Sequence, residues 1–464
     1  MNITANTSEA YNLLHNGTLA LARAERQGMR VDMEYIKKHK AIISKEINDL
    51  DYEFKQTNFF EQWDASTPKD ININSSVQLR DFLYTVQGRK PPKFTDKGFG
   101  SVDEESLAAL NISELDALLR MRKLKKLRDT YLDQYSREQV NGVIHPFYNL
   151  NLVKTYRSSC DRPNLQNVPK REEEAMKLIR GALYPREGHQ LLEVDYSGLE
   201  VRISACYHKD PKMISYIKNP KTDMHRDMME EIFMLKYDGS DEQEYLRAAT
   251  KNGFVFPQFY GDYYINCANY MAVKWGHLPN GVFKDDTGVH VDAGGTTLGR
   301  HLRSKGIKSI KTFENHLEEI QNAFWDERFP VYALWKKKWW TLYKRRGYVD
   351  MFTGFRCQGL MSRNDATNYP IQGAAFHCLL WSFIELERIL RHRGFKTKLI
   401  IQIHDAILLD VHPDELGEVA DIVHAVTTEQ LPKAWSWIIV PLEVKAELCP
   451  VDGSWAEKEK FNLN

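Results

Sequence analysis

Short apolar runs ending at acidic residues stand out along this chain. Leu191, Leu192 and Val194 form one such run, which stops at Asp195-Tyr196. Leu199, Val201, Ile203 and Ala205 then sit among polar residues, a pattern that predicts a buried strand giving way to a helix. Two further runs, Leu399 to Ile403 and Ala406 to Val411, flank His404-Asp405 and predict two strands joined at a tight tip. Asp195 and Asp405 therefore both lie where a strand ends. A lone strand-end aspartate is ordinarily a turn or helix cap. If the two strands are neighbours, however, the carboxylates converge, and close anions are best stabilised by divalent cations.

The remaining pattern is mostly helical up to about residue 145. Leu19, Ala20, Ala22 and Ala24 precede a turn at Gly28 to Asp32, and a charged helix follows from Met33 to about Lys55. Ile71 to Ser76 reads as a turn and cap for a helix from Val77, and a Pro/Lys/Gly-rich loop leads to another helix near Val102. The run Leu118 to Tyr135 carries Arg120, Arg122, Lys123, Lys125, Lys126 and Arg128 among leucines. It is either a solvated amphipathic helix or a helix that neutralises phosphates along a duplex. Short extended pieces and a polar loop occupy 143–169, and 212–349 is mainly helical. Gly294 to Gly299 lacks the lysine and flanking strand of a phosphate-binding loop and reads as a plain turn. A helix over about 414–430 and a strand Val440 to Glu447 close the chain, so a helical insertion splits one α/β unit.

Composition adds bounds. The 464 residues are 42% hydrophobic and 27% charged, enough for several subdomains with their own cores. Lys+Arg and Asp+Glu both number 63, so net charge alone predicts no polyanion partner, and only the placement of basic residues bears on one. Six scattered cysteines without a CxxC predict reduced thiols. The N-terminal residues lack a signal-peptide pattern and no apolar run is long enough to span a bilayer. A cytoplasmic protein without membrane contact is the expectation.

Between the two aspartates lies Arg247-Ala248-Ala249-Thr250-Lys251, with Phe256 and Tyr260-Gly261 beyond it. Arg247 and Lys251 are four apart and share a helix face, which suits a triphosphate as well as it suits plain solvation. Phe256 and Tyr260 are also four apart and would line one side with rings.

In this company the motifs resemble those of family A DNA polymerases, the class of bacterial DNA polymerase I and many phage replicative enzymes. Asp195 to Arg202 is similar to the first palm motif DYSQIELR, Arg247 to Gly261 to the fingers motif, and His404-Asp405 to the HDE motif. Thr155 to Ser159 with Pro163 to Pro169 resembles TGRLSS…PNLQNIP. Asp223-Met224-His225 resembles DIH, and Asn368, Pro370 and Gln372-Gly373 resemble the N-x-P-x-QG element. Gly28 to Asp32 and Asn72 to Ser75 resemble thumb sequences, and the matches run in family order over nearly the whole chain.

The resemblance implies an α+β right-hand polymerase fold with an antiparallel-sheet palm, helical fingers and a helical thumb. It places a thumb-like region at 1–145, palm at 146–212 and 350–464, and fingers with an insertion at 213–349. It implies that Asp195, Asp405 and the Tyr196 carbonyl hold two Mg²⁺ ions, with Mn²⁺ as a substitute. Arg247, Lys251 and His225 would grip the triphosphate of a dNTP. Glu200 would exclude a 2′-hydroxyl, Phe256 would stack near the sugar, and Tyr260 and Gly261 would sit by the templating base. Arg157, Asn164, Gln166, Asn368, Gln372 and His404 would contact the primer–template. The fingers helix is expected to swing onto a correctly paired nucleotide.

Several positions depart from the family pattern. Gly198 stands for the usual Gln, Tyr156 for a Gly, and Ala406 for the Glu of HDE. One extra residue separates Lys251 from Tyr260, and Pro257 lies between them, which predicts a kink. The stretch Asp262 to Asn322 is longer than in bacterial members. Thumb-like sequence begins near residue 20, so the resemblance implies either an enzyme that does not proofread or, the favoured reading, a separate chain that supplies the exonuclease, alongside a processivity factor as a further partner. Proline in the fingers and the missing exonuclease region point towards a phage or other mobile element. Two other readings stay open at this stage: a single-subunit RNA polymerase, against which Glu200 argues, and a non-catalytic primer–template binder, which Ala406 makes conceivable.

Overall fold

The two aspartate strands are neighbours. In the computed structural model, which describes residues 3–67, 70–95, 97–170, 172–274 and 289–463, Gln190–Tyr196 lies in a five-stranded sheet. Its order from one edge is Glu459–Phe461, Val444–Leu448, Gln190–Tyr196, Ala406–Val411 and Lys398–Ile403, with every pairing antiparallel. An antiparallel sheet with helices segregated around it is an α+β architecture, the expected class. Strand alternation puts Leu192, Val194 and Tyr196 on one face and Glu193 and Asp195 on the other. The first face is sealed by the Arg363–His392 helix, whose Ser382 hydroxyl meets the Tyr196 hydroxyl at 2.8 Å. Leu191, Leu192 and Val194 are at most 2% exposed, each stabilising the sheet by about 1.5–3 kcal/mol.

This sheet belongs to one of two compact units, formed by residues 1–42, 126–219 and 331–464. Its first helix, Thr7–Gln27, packs closely on the Arg363–His392 helix, because a Cβ at Gly17 would sit 2.8 Å from Leu380. The predicted turn at Gly28 to Asp32 is instead a strand, Met29–Val31, paired with Val143–Ile144 and Leu183–Tyr184. Three residues are too few for alternation to be read, and both partners are distant in sequence. The closing strand is Val444–Leu448, and the edge strand Glu459–Phe461 had no signal in the pattern.

The second unit comprises 43–125 and 220–330. In its first segment Phe54, Phe59, Trp63, Phe82 and Leu118 build an aromatic-rich core. Its second segment holds the helices Met224–Phe233, Asp241–Thr250, Tyr264–Lys274 and Ile310–Ala323. Among the described residues no helix is long and apolar enough to cross a membrane. All six cysteines are buried free thiols.

Candidate active site

Register brings the two aspartates together. Ala406 pairs with Asp195 on one side and Ile403 on the other, leaving His404-Asp405 as a two-residue hairpin tip. Only the first tip residue, His404, has a positive φ (48°), the arrangement of a type II′ turn that usually asks for glycine there. The strain is retained at the tip, as is common where geometry serves function. The Tyr196 N–H donates to the Asp405 carbonyl at 3.0 Å, tying the two strand ends.

Electrostatics distinguishes the pair. Burial pushes the Asp405 carboxyl up to about 6, with Glu200 and Asp195 adding to the rise and Arg157 and Lys170 opposing it. Its Oδ1 is buried and has no hydrogen-bond partner. An unsatisfied buried carboxylate oxygen costs roughly 1–3 kcal/mol or more, and oxygen donors of this kind suit Mg²⁺ or Mn²⁺. The residues present therefore fit a divalent ion. Asp195 Oδ2 accepts from Lys170 Nζ at 2.8 Å, and Glu200 is ion-paired with Arg157. Among the described residues no group of three or more His, Cys, Asp or Glu side chains is set to hold a metal.

Two supporting networks carry no local sequence signal. Gln402, fully buried, accepts from the Ser158 hydroxyl at 2.6 Å and from Gln166 Nε2 at 2.8 Å, and donates to the His404 carbonyl at 2.8 Å. It thereby holds the hairpin tip against the polar loop. Asn164 caps the short turn that positions Gln166. Glu193, two residues before Asp195, meets Arg180 at 3.2 Å, Lys458 at 2.8 Å and the Trp455 indole at 2.9 Å. Burial raises its carboxyl, but Lys458 and Arg180 overcome this and hold it down at about 2. These partners come from residues up to 265 positions away, so only the fold reveals them.

His404 is exposed at the tip, with its imidazole held below the ordinary value by partial desolvation and by Arg157 and Lys170. Asn368 and Gln372 stand one turn apart on the Arg363–His392 helix and are both partly exposed. Next to them, a Cβ at Gly373 would collide with the Thr155 carbonyl, so glycine lets this helix approach the segment that carries Arg157. Gly198 adopts φ 59°, ψ 40°, a left-handed conformation between the Asp195 strand and the Leu199–His208 helix, which accounts for glycine at that departure.

The second unit gathers the cationic residues. Asp223 caps the Met224–Phe233 helix and also receives Arg247 Nε at 2.8 Å, fixing that guanidinium. Lys251 Nζ lies 5.3 Å from the Phe256 ring centroid, and His225 meets the same ring edge-on at 5.6 Å. Burial, then Lys251 and Arg247, push the His225 imidazole down to about 4 against the pull of Asp223, and its buried Nδ1 has no hydrogen-bond partner. Phe254 is buried against Phe324, so Phe256 is the ring that faces Lys251 and His225.

The extra residue between Lys251 and Tyr260 is absorbed as a wide turn. Lys251–Val255 is π-helical, with the Phe256 N–H reaching back five residues to the Lys251 carbonyl. Nine α-helical steps would put Lys251 and Tyr260 on opposite faces, and one widened turn brings them back towards a common side. Pro257 follows directly inside the continuous helical run 241–260, where its ring removes one backbone donor just after the wide turn. Gly253 within the wide turn lies so close to Met271 that a Cβ would collide. Gly261, at φ 92°, ends the helix after the 43%-exposed Tyr260.

A sequence profile of DNA polymerase family A matches residues 34–276 and 298–457, and the chain belongs to that family. It is 27% identical over 447 residues to DNA polymerase I of Chloroflexus aurantiacus, covering 94% of this chain and 42% of that protein. It is 30% identical over 380 residues to DNA polymerase I of Lactococcus lactis subsp. lactis, covering 81% and 39%. The DNA polymerase of Bacillus phage SP01 is 25% identical over 385 residues, covering 78% and 37%. The chain thus spans about two fifths of the length of these relatives. Among solved structures, the "POL domain of Pol1 from M. smegmatis complex with DNA primer-template and dNTP" shares the fold, with a TM-score of 0.72 and 23% identity over 95% of this chain and 70% of that one.

The family match also narrows the insertion. It is interrupted only between residues 276 and 298, well inside the stretch Asp262 to Asn322. Residues 275–288 of that stretch lie outside the described residues. The flanking helices Tyr264–Lys274 and Leu298–Ser304 fall within the match, so they are family structure and not additions.

Proposed function

We propose that this chain is a DNA-templated DNA polymerase that joins dNTPs to a primer 3′-hydroxyl. One observation carries the reading: Asp195 and Asp405 end adjacent strands, and Asp405 presents a buried carboxylate oxygen without a donor. Asp195, Asp405 and the Tyr196 carbonyl would hold two Mg²⁺ ions, for which Mn²⁺ can substitute. When bound, such ions lower the pKa of the attacking hydroxyl and neutralise charge on the departing pyrophosphate. The chain's own residues do the positioning. The Gln402 network fixes the tip, and Arg157 pins Glu200, whose carboxylate would leave no room for a ribose 2′-hydroxyl.

Arg247, Lys251 and His225 offer a preorganised triphosphate grip, with Asp223 orienting Arg247 and with His225 neutral at pH 7. Phe256 supplies the sugar-stacking ring, and Tyr260 with Gly261 a surface for the templating base. Arg157, Asn164, Gln166, Asn368, Gln372 and His404 would read the primer–template, the minor-groove acceptors being alike for every correct pair. On this reading 146–212 and 350–464 are the palm, 213–349 the fingers and 1–145 the thumb-like region.

Kinship with the Bacillus phage SP01 polymerase supports a replicative role in a phage or other mobile element. Extension of a primed template with Mg²⁺ and dNTPs, beside parallel reactions with rNTPs, tests the main reading. Template-directed dNTP addition supports it, and failure to extend, or a preference for rNTPs, overturns it.

A further inference from the structure

The Asp195 carboxylate already has a cation beside it. Lys170 Nζ lies 2.8 Å from Asp195 Oδ2 and 3.5 Å from Glu193 Oε1. Glu193 and Asp195 are two apart on one strand, so they present their carboxylates on the same face of the sheet. Lys170 reaches both from the end of the Pro163 to Pro169 loop. The start of its side chain is fixed, because the buried Arg180 donates to the Pro169 carbonyl at 3.0 Å and to Glu193 at 3.2 Å. The ammonium itself ends a long side chain that is 51% exposed.

We propose that Lys170 is a positioning residue that acts as a stand-in cation: it holds Asp195 in the metal-free protein and yields it when a divalent ion enters. This rests on the reading that Asp195 and Asp405 hold the metal. Glu193 and Asp195 carry like charges on one face of the strand, and both lie within 3.5 Å of Lys170 Nζ. The Lys170 ammonium offsets that repulsion. Glu193 gives it a second acceptor to fall back on, so leaving Asp195 does not strand its charge. Glu193 is itself secured by Arg180, Lys458 and Trp455 and does not depend on Lys170 for its position. A lysine, with a single mobile point charge, suits this task better than an arginine fork, which would clamp the carboxylate.

The consequence is a competition between Lys170 and the metal for one carboxylate. Removing the ammonium should tighten metal binding, although it removes a contact from the metal-free protein. The test is Mn²⁺ titration of the full chain, free Mn²⁺ being read by electron paramagnetic resonance without DNA or nucleotide. The Asp195→Asn/Asp405→Asn double variant sets the baseline for other sites. Lys170→Met and Lys170→Gln are both used, with circular dichroism as the check on folding, and Lys170→Arg keeps the charge. The proposal expects both neutral variants to bind Mn²⁺ about three- to tenfold more tightly than the parent, the effect of one partly screened charge. It expects Lys170→Arg to bind no more tightly than the parent, and Mn²⁺ to raise Tm more in the neutral variants than in the parent. If the double variant loses Mn²⁺ but the neutral variants bind it no better than the parent, the stand-in role is overturned and the metal site stands. Lys170→Arg binding as tightly as Lys170→Met also overturns it, since charge would not be the cause. If the double variant binds Mn²⁺ like the parent, the metal assignment fails and the stand-in role falls with it.

Discussion

The Tyr196 N–H donates to the Asp405 carbonyl at 3.0 Å, so the end of one aspartate strand is stitched to the tip that carries the other. The stitch is made by backbone, and either carboxylate can be altered without undoing it. Asp405 is the costly one, because its folded-state carboxyl is raised to about 6. A carboxyl raised on folding favours the fold below its unfolded value, near 4, and that contribution is lost as pH rises through about 6. In EDTA, Asp405→Asn should therefore be more stable than the parent at pH 8 by about 1–2 kcal/mol, the gap closing towards pH 4. Urea denaturation at the two pH values measures this. A variant less stable than the parent at pH 8 contradicts it.

Two rings of the second unit separate a packing role from the proposed ligand contact. Phe254 is fully buried against Phe324, and Phe254→Ala should cost about 3–4 kcal/mol of stability in denaturant titrations. Phe256 is partly exposed beside Lys251 and His225. Phe256→Ala should change stability by less than about 1 kcal/mol, while the KM for dNTP rises up to about tenfold. The reverse pattern in steady-state kinetics would reassign the sugar-stacking ring.

His225 gives a second pH signature of opposite sign. Its imidazole is held down to about 4, below the value near 6.5 of an unfolded chain. Between those values the unfolded chain binds the extra proton, so stability falls as pH drops from 6.5 towards 4. The buried His208 and His377, held down to about 3, push in the same direction. Only a comparison isolates His225: His225→Asn should flatten the stability–pH curve over that window. Parallel curves for the parent and the variant would show that His225 is not held neutral.

At Gly198 no atom stands within 4 Å of where a Cβ would go, but φ is +59°. Gly198→Ala should therefore lose about 1 kcal/mol through backbone strain alone, without a clash. A Tm equal to or above the parent's would remove the strain argument for this departure from the family motif.

How much of this was legible beforehand differs by residue. The strand ends at Asp195 and Asp405 could be read because dense apolar runs stop there, and the Arg247/Lys251 face because helical spacing is local. Lys170 and Glu193 could not be read as partners of the site, since an isolated Lys or Glu carries no mark of the distant residue that it will meet. Gln402 looked like one more position of an apolar strand, although it is the fully buried hub that ties Ser158, Gln166 and the His404 carbonyl. Pro257 predicted a kink through its missing N–H, whereas the departure the structure shows is the wide turn Lys251–Val255, one turn earlier. Periodicity arguments assume 3.6 residues per turn and cannot foresee where a chain departs from it.

Asp195 and Asp405 are proposed to carry nucleotide addition together. Single-turnover extension of a primed template by the parent, Asp195→Asn and Asp405→Asn, at saturating Mg²⁺ and dNTP, tests it most directly. Each substitution is expected to slow incorporation by about three orders of magnitude or more while primer–template affinity stays near the parental value. Extension by either variant at the parental rate would contradict it.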